Sequence, residues 1–342
     1  MPERPYTEPG MPAHVLAQLL ESDLLPLAAR ERFRQALARE QVDVSSWLVP
    51  GAQAPMRWFR EACPDLDEDS AARLGYLAGE QARLTSYSLL SVPLVSAGSV
   101  SEALQLLRFM PLISNVLQPL LREGDDAVQV VLQVSSGDPM LDRIPLLYSA
   151  AAVRRLLMLL SGDLPGLVVD IAWPAPPSLR DHPDCLAGRL RFDAPLHAIR
   201  VPRATLSQVC RFADPLTYQT AVAELDQRMA RLSLPDDLAA RVRRLVDAEP
   251  GQASLASVAE ALHLSASTLK RRLEAAGTGF RPILETVLRE RAMLAVTDPA
   301  RPLTAIAQEL GYSDAANFAH AFKRWTGLPP GEFRRRHLLA PR

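Results

Sequence analysis

Near the C-terminus, the segment SASTLKRRLEAAG sets Ser267, Thr268, Lys270, Arg271 and Glu274 opposite Leu269 and Leu273 at helical spacing. The chemistry open to that polar face is hydrogen bonding. An arginine or lysine can bond O6 and N7 of a guanine, and a serine or threonine hydroxyl can donate or accept. The solvated face of an ordinary surface helix has the same composition, so this segment alone decides nothing. A second segment, NFAHAFKRWTG from Asn317 to Gly327, repeats the design. Phe318, Phe322 and Trp325 form its apolar stripe, while Asn317, His320, Lys323 and Arg324 face the other way.

Catalytic arrangements are missing from the rest of the chain. GxSxG, the phosphate-binding GxxxxGK pattern, HExxH and CxxC do not occur. The run Asp65, Asp67, Asp69 begins like a calcium loop, but Ser70 stands where that loop needs Gly and Tyr76 where it needs Glu. It reads as a helix start enriched in acidic residues. None of the six histidines pairs with another at metal-ligand spacing, and Cys63, Cys185 and Cys210 are scattered and odd in number. The expectation is a non-enzyme without metal or cofactor.

The elements that must position these polar faces follow from pattern and charge. A length of 342 residues suggests two domains. From Asp236 onward there are 16 Lys+Arg and 12 Asp+Glu, against 22 and 27 before it, so a basic third follows an acidic body. That balance permits a polyanion-binding module on a neutral carrier. The first ten residues carry three prolines and a glycine and no basic region followed by an apolar core. They read as a disordered tail, extending to residue 12, rather than a secretory signal, and a cytoplasmic location is expected. No apolar run reaches the ~18 residues of a membrane span. The longest, IPLLYSAAAVRRLLMLL, is interrupted by Arg154 and Arg155.

Between residues 13 and 232 helical patterns come first, including one through SVSEALQLLRFMPLISNVLQPLL. AVQVVLQVS, LVVDIAW, GRLRF and HAIRVP then read as strands around a long helix from about Asp142 to Leu160, and RATLSQVC reads as a helix. This gives an α+β first domain of helices plus a small sheet. A linker at 233–235 leads to an all-α domain at 236–338.

That second domain contains a repeat. VAEALHLSASTLKRRLEAAG can be laid on IAQELGYSDAANFAHAFKRWTG with one residue inserted in the second copy. Each copy is a short helix, a three-residue turn, a serine able to cap, and a longer amphipathic helix, at about 254–276 and 303–326. Gly311 occupies the turn position that favours a left-handed backbone, and His263 stands there in the first copy. A helix over about 280–297 joins the copies. Two helices at a steep angle, the second presenting its outer face, form a helix-turn-helix suited to the major groove.

The duplicated motif resembles the AraC/XylS transcription regulators. The matching residues are Val258–Ala259, Leu269, Leu273, Gly277, Arg291–Ala292, Ile306–Ala307, Leu310–Gly311–Tyr312, Phe318, Phe322–Lys323–Arg324, Gly327, Pro330 and Phe333–Arg334. LGYLAGEQ, the helix led by Ser99–Val100, RLRFDAPLHAIRVPRATL and ADPL also resemble the non-cupin, arabinose-binding-type N-terminal domain of one branch of that family. By position in the family pattern, Ser267, Lys270 and Arg271, with Thr268 beside them, correspond to base-edge readers and Arg272 to a phosphate contact. Ala315, Ala316, Asn317 and His320 are the presented residues of the second copy. An arginine is common at the His320 position, so the second copy departs from the pattern there. Lys323, Arg324, Arg334 and Arg335 are placed to grip phosphates, which orient without reading sequence.

The resemblance implies a sequence-specific DNA-binding regulator, ligand-responsive and activating. Its partners would be double-stranded promoter DNA, a small-molecule effector, RNA polymerase if it activates, and a second copy of the chain, with no membrane. Arg83, Tyr87, Arg154 and His197 are the polar candidates for lining an effector pocket. Two alternatives stay open: a constitutive regulator whose first domain only dimerises, and a small-molecule enzyme or carrier with a helical appendage.

Overall fold

The computed structural model describes residues 8–42, 52–232, 238–275 and 278–339. The chain divides into two compact units, Met1–Met229 and Ala230–Arg342. The linker expected at 233–235 and the first seven residues of the expected tail lie outside the described residues.

In the first unit, β1 (Gly10–Pro12) pairs antiparallel with β2 (Gln53–Pro55), and all six residues are buried. The expected tail over 1–12 is therefore corrected at its end. Asn115 accepts the Gly10 N–H through Oδ1 at 2.8 Å, tying down a segment whose prolines suggested disorder. Helices α1 (Ala13–Glu21), α2 (Leu27–Arg39), α3 (Met56–Ala62) and α4 (Glu68–Glu80) follow. Asp67 caps α4 by accepting the Ser70 N–H at 2.8 Å, so the acidic run is a helix start. Two short helices, α5 (Ser91–Ser96) and α6 (Val100–Gln105), lead into a tighter 3-10 turn over Leu106–Leu112.

The sheet has five strands in the order β3-β4-β7-β5-β6. These are β3 (Leu117–Glu123), β4 (Ala127–Val134), β5 (Val168–Asp170), β6 (Leu190–Arg191) and β7 (Ala198–Pro202). All neighbours are antiparallel except β5 and β6. β3 corrects the helical reading of LQPLL. It is an edge strand, where Pro119 costs no ladder bond that a central strand would need. RATLSQVC likewise is not an α-helix: a 3-10 turn at Arg203–Thr205 gives way to a bridge between Val209 and Ser99.

The long helix α7 (Arg143–Ser161) is apolar and long enough to cross a membrane by length and composition, but most of it is buried in the first unit. It packs on α4, where Gly79 permits the approach: a Cβ there would stand 2.4 Å from the Tyr148 carbonyl oxygen. A short α8 (Pro183–Leu186) and the long α9 (Pro215–Leu232) complete this part of the chain.

The second unit is all helix: α10 (Leu238–Ala248), α11 (Leu255–Ala261), α12 (Ala266–Ala275), α13 (Phe280–Val296), α14 (Leu303–Glu309), α15 (Ala315–Thr326) and α16 (Pro330–Leu339). Val287 of α13 joins the core formed by Val242, Val246, Val258, Leu269 and Leu273. Further along α13, Val296 is fully buried, as are Ile306, Phe318 and Phe322 of the second copy. One helix therefore carries both motifs.

Candidate nucleic-acid interface and interior cavity

The first motif is α11 and α12. Ser254 caps α11 by accepting the Ser257 N–H at 3.0 Å, and the Ser257 hydroxyl accepts the Ser254 N–H at 2.9 Å. The turn passes through His263 at φ 56°, a left-handed backbone held without glycine. Ser265 then accepts the Thr268 N–H at 3.1 Å. With Leu269 and Leu273 fully buried, Ser267, Lys270, Arg271 and Glu274 stand exposed along the opposite side. Lys270 lies 3.9 Å from Glu274, a loose pair in open solvent. Arg271 forms no hydrogen bond or ion pair among the described residues. Arg272 is exposed beside it. Thr268 is half-buried, and its hydroxyl shares a 2.8 Å hydrogen bond with Ser265, which gives it a capping duty that the sequence spacing did not reveal.

The second motif is α14 and α15. Gly311 makes the turn at φ 80°. The cap falls one residue later than expected: Asp314, not Ser313, accepts the Asn317 N–H at 2.7 Å, which is where the extra residue of this copy is absorbed. Phe318 and Phe322 are fully buried, with ring centroids 5.7 Å apart, and Phe322 meets Phe333 edge-on at 5.2 Å. Trp325 is only half-buried. Its indole N–H donates to Glu285 of α13 at 3.0 Å, so the last member of the expected stripe is a tether at the core's margin.

On the presented side, Ala316, Asn317, His320 and Lys323 are exposed and Ala315 is half-buried. The Asn317 amide donates to Asp314 Oδ2 at 2.7 Å and Ser313 Oγ at 3.1 Å. A bidentate contact to adenine would require those bonds to be exchanged. Three of the expected phosphate ligands, Arg272, Lys323 and Arg335, are exposed. The other two are engaged elsewhere. Arg324 donates to Glu285 Oε1 at 2.8 Å. Arg334 is half-buried and donates from Nε to the Val296 carbonyl at 2.8 Å and from Nη2 to the Arg301 carbonyl at 2.7 Å. It satisfies a terminal carbonyl of α13, so it acts as a helix cap, and a phosphate contact would have to be made alongside those bonds.

A short backbone contact relates the two motifs. The loop before α11 passes the turn of the second motif so closely that a Cβ on Gly251 would lie 2.2 Å from the Glu309 carbonyl oxygen. One on Gly311 would lie 2.3 Å from the Gly251 carbonyl oxygen. Ion pairs from α10 to α13 add to the same seam, Arg243 to Glu290 and Arg291 to Asp247.

The first unit holds an apolar cavity that is partly open to solvent. Leu94, Leu104, Met110, Leu132, Ala152 and Leu156 are among its mainly apolar walls. Of the four expected pocket residues only Tyr87 lines it. Arg83 is exposed. Arg154 is buried away from the cavity walls, holding Asp184 through two bonds of 2.7 and 2.8 Å, and Tyr76 and Arg189 donate to the same carboxylate. Burial pushes the Asp184 carboxyl up, but the bonds from Tyr76 and Arg189 and the neighbouring positive charges outweigh it and hold the carboxyl below its usual range. His197 accepts the Ala172 N–H and meets Trp173 edge-on. Burial, with the charge of Arg143, brings its imidazole down to about 4. Sequence reasoning missed Tyr148, the lone phenol on an apolar helix, whose hydroxyl lies 3.1 Å from that of Tyr87.

Two helix-turn-helix motifs on one spine, in a chain whose other unit carries a cavity, define a class: a DNA-binding transcription regulator. Comparison with known proteins identifies the family. Residues 27–210 match the arabinose-binding domain of AraC transcription regulators, N-terminal, and residues 258–336 match a helix-turn-helix domain. The chain belongs to the AraC family of transcription regulators.

It is 28% identical to the ornithine utilization regulator of Pseudomonas aeruginosa over 269 residues, covering 76% of this chain and 78% of that protein. An uncharacterized HTH-type transcriptional regulator of Mycobacterium tuberculosis is 26% identical over 309 residues, 84% of this chain and 85% of that one. The crystal structure of the transcriptional regulator CdpR from Pseudomonas aeruginosa matches 92% of this chain and all of that one, at 24% identity and a TM-score of 0.38. The domains and relatives are those of regulators, not enzymes.

Phe322 is the central side chain of the second motif's core. Phe322→Ala should cost roughly 3–5 kcal/mol through the cavity it leaves. A thermal melt followed by circular dichroism should show the second unit melting at lower temperature. Melting identical to wild type would mean that Phe322 is not the packing centre.

Proposed function

We propose that this regulator responds to a small molecule held in its first unit, and that the response changes how tightly the second unit binds a promoter. The observation that carries the reading is the apolar cavity, lined by side chains of one compact unit and partly open to solvent. A ligand that favours one arrangement of the chain over another shifts its population by the difference in affinity. Activation through RNA polymerase, assembly as a homodimer and a cytoplasmic location complete the proposal, in keeping with the family. Filling the cavity with Ala152→Phe tests the response. Operator affinity that shifts in either direction supports it; an unchanged affinity favours the constitutive alternative. That alternative draws on Val209, Phe212 and Leu216, 71, 56 and 76% exposed, which offer apolar surface for a second copy.

On the DNA side, Ser267, Lys270 and Arg271 are the proposed base readers of the first motif. Ala315, Ala316, Asn317 and His320 give the second motif a shallower reading face, and Arg272, Lys323 and Arg335 serve phosphates. Support comes from the exposed guanidinium of Arg271, unpaired among the described residues, whose two-donor fork matches a guanine edge. His320 offers only a single ring edge. Arg271→Ala should cost ~1–3 kcal/mol on operator DNA and relax the preference at one base pair. His320→Ala should change discrimination between operator and scrambled DNA much less. Competition binding with an operator selected from random sequence measures both, and equal losses would assign base reading to both motifs alike.

A further inference from the structure

The cavity's walls say what can enter it. Apart from Tyr87, Ser114, Tyr148 and Ser149, the lining is hydrocarbon, and none of the lining residues is charged. The ionic groups nearby are used elsewhere: Arg154 holds Asp184, and Arg155 donates to the Ala82 carbonyl at 2.9 Å. A charged ligand would lose its hydration in this cavity with no counter-ion to replace it. Amino acids, sugar phosphates and carboxylates are disfavoured on that ground. Free sugars are disfavoured by the scarcity of partners for their many hydroxyls.

The two phenols supply a second observation. Tyr87 and Tyr148 are buried, and their hydroxyl oxygens lie 3.1 Å apart, a single hydrogen bond in which either can be the donor. Two hydroxyls sharing one bond use one proton and leave one. The phenol that accepts still has its own O–H to donate, and no acceptor for it is found among the described residues. Burial raises both groups above their ordinary range, Tyr148 to about 12, so both protons are present at neutral pH. An unmet donor in an apolar cavity is costly, and an acceptor brought by a ligand relieves it.

We propose that the cavity binds a neutral, mostly hydrocarbon molecule that carries a carbonyl or similar oxygen acceptor, seated with that oxygen on the Tyr87–Tyr148 pair. The identification of ligand class rests on reading the cavity as the effector site. Hydrocarbon contact supplies the affinity, and the single phenolic proton fixes which end of the molecule goes in.

Titration calorimetry of the full chain without DNA tests this with 2-octanone and octanoate, which share a chain length and differ in charge. Saturable binding of 2-octanone, with octanoate weaker by roughly tenfold or more at pH 7.5, is expected. In the double variant Tyr87→Phe, Tyr148→Phe both partners of the hydrogen bond become apolar together, so folding should be nearly unaffected. Its affinity for 2-octanone should fall about two- to tenfold. Octanoate binding as tightly as 2-octanone, an unchanged affinity in the double variant, or no saturable binding of either probe would each overturn the proposal. If the double variant fails to fold, the ketone-against-carboxylate comparison in the wild-type chain still decides. Operator affinity measured with and without 2-octanone separates the two readings. Binding without a change in DNA affinity sustains the ligand class and overturns the effector role.

Discussion

The second unit depends on a single constraint: two helix-turn-helix motifs must share one spine at backbone-contact distance. Helix α13 contributes Val287 to the first motif's core and buries Val296 beside the second's. The passage of Gly251 against Gly311 closes the other side, where any side chain on either residue would meet a carbonyl oxygen. Gly311 is doubly determined, because the same residue must also turn the chain at φ 80°. Around this seam the charged side chains act as ties. Glu285 collects Arg324 and Trp325, Glu290 takes Arg243, and Arg334 caps the end of the spine. These ties engage Arg324 and Arg334 within the protein, while Arg271, Arg272, Lys323 and Arg335 stay exposed. A polar face on each recognition helix is thereby held at a fixed place relative to the other.

The first unit solves a different problem, that of keeping a cavity open and free of charge. Its long helix α7 has polar and apolar duties on neighbouring turns. Tyr148 faces the cavity, while Arg154, less than two turns on, is drawn to Asp184. Removing one member of such a buried pair would strand a charge, whereas the intact pair leaves the cavity walls to hydrocarbon. Close packing of α7 on Gly79 fixes the depth at which Tyr148 sits. The same helix therefore sets the position of the phenol pair and carries the ionic group that lies away from it.

Much of this was legible in residue order, and what was not has a physical cause. The repeat exposed both motifs because each must bury the same leucine or phenylalanine positions and turn at the same place. Caps were harder. Ser265 is read as a cap and Thr268 as part of the presented face, but only coordinates show that their hydroxyls bond each other. Asp314 rather than Ser313 caps α15 because an inserted residue moves the helix start by one. Arg334 looks identical in sequence to its exposed neighbour Arg335. Its distinction is the proximity of the Val296 and Arg301 carbonyls, some thirty residues away in the chain. β3 was hidden by Pro119, which argues against a central strand and is silent about an edge. Pocket polarity was misjudged for a related reason: Arg154 and His197 do lie among apolar segments, but buried polar groups find partners, and theirs are Asp184 and the Ala172 N–H.

If both motifs contact DNA as proposed, their shared spine and the Gly251–Gly311 contact make them one rigid reader, which is tested most directly by changing the DNA instead of the protein. An operator selected from random sequence would be resynthesised with three, five and ten extra base pairs between the segments contacted by the two motifs. The dissociation constant of the full chain would then be measured on each. A rigid reader loses simultaneous engagement at every insertion, so affinity should fall roughly tenfold or more in all three, including the ten-base-pair insertion that restores helical phase. Affinity that survives the insertions, or returns at ten base pairs, would show that the motifs move independently and would contradict the account.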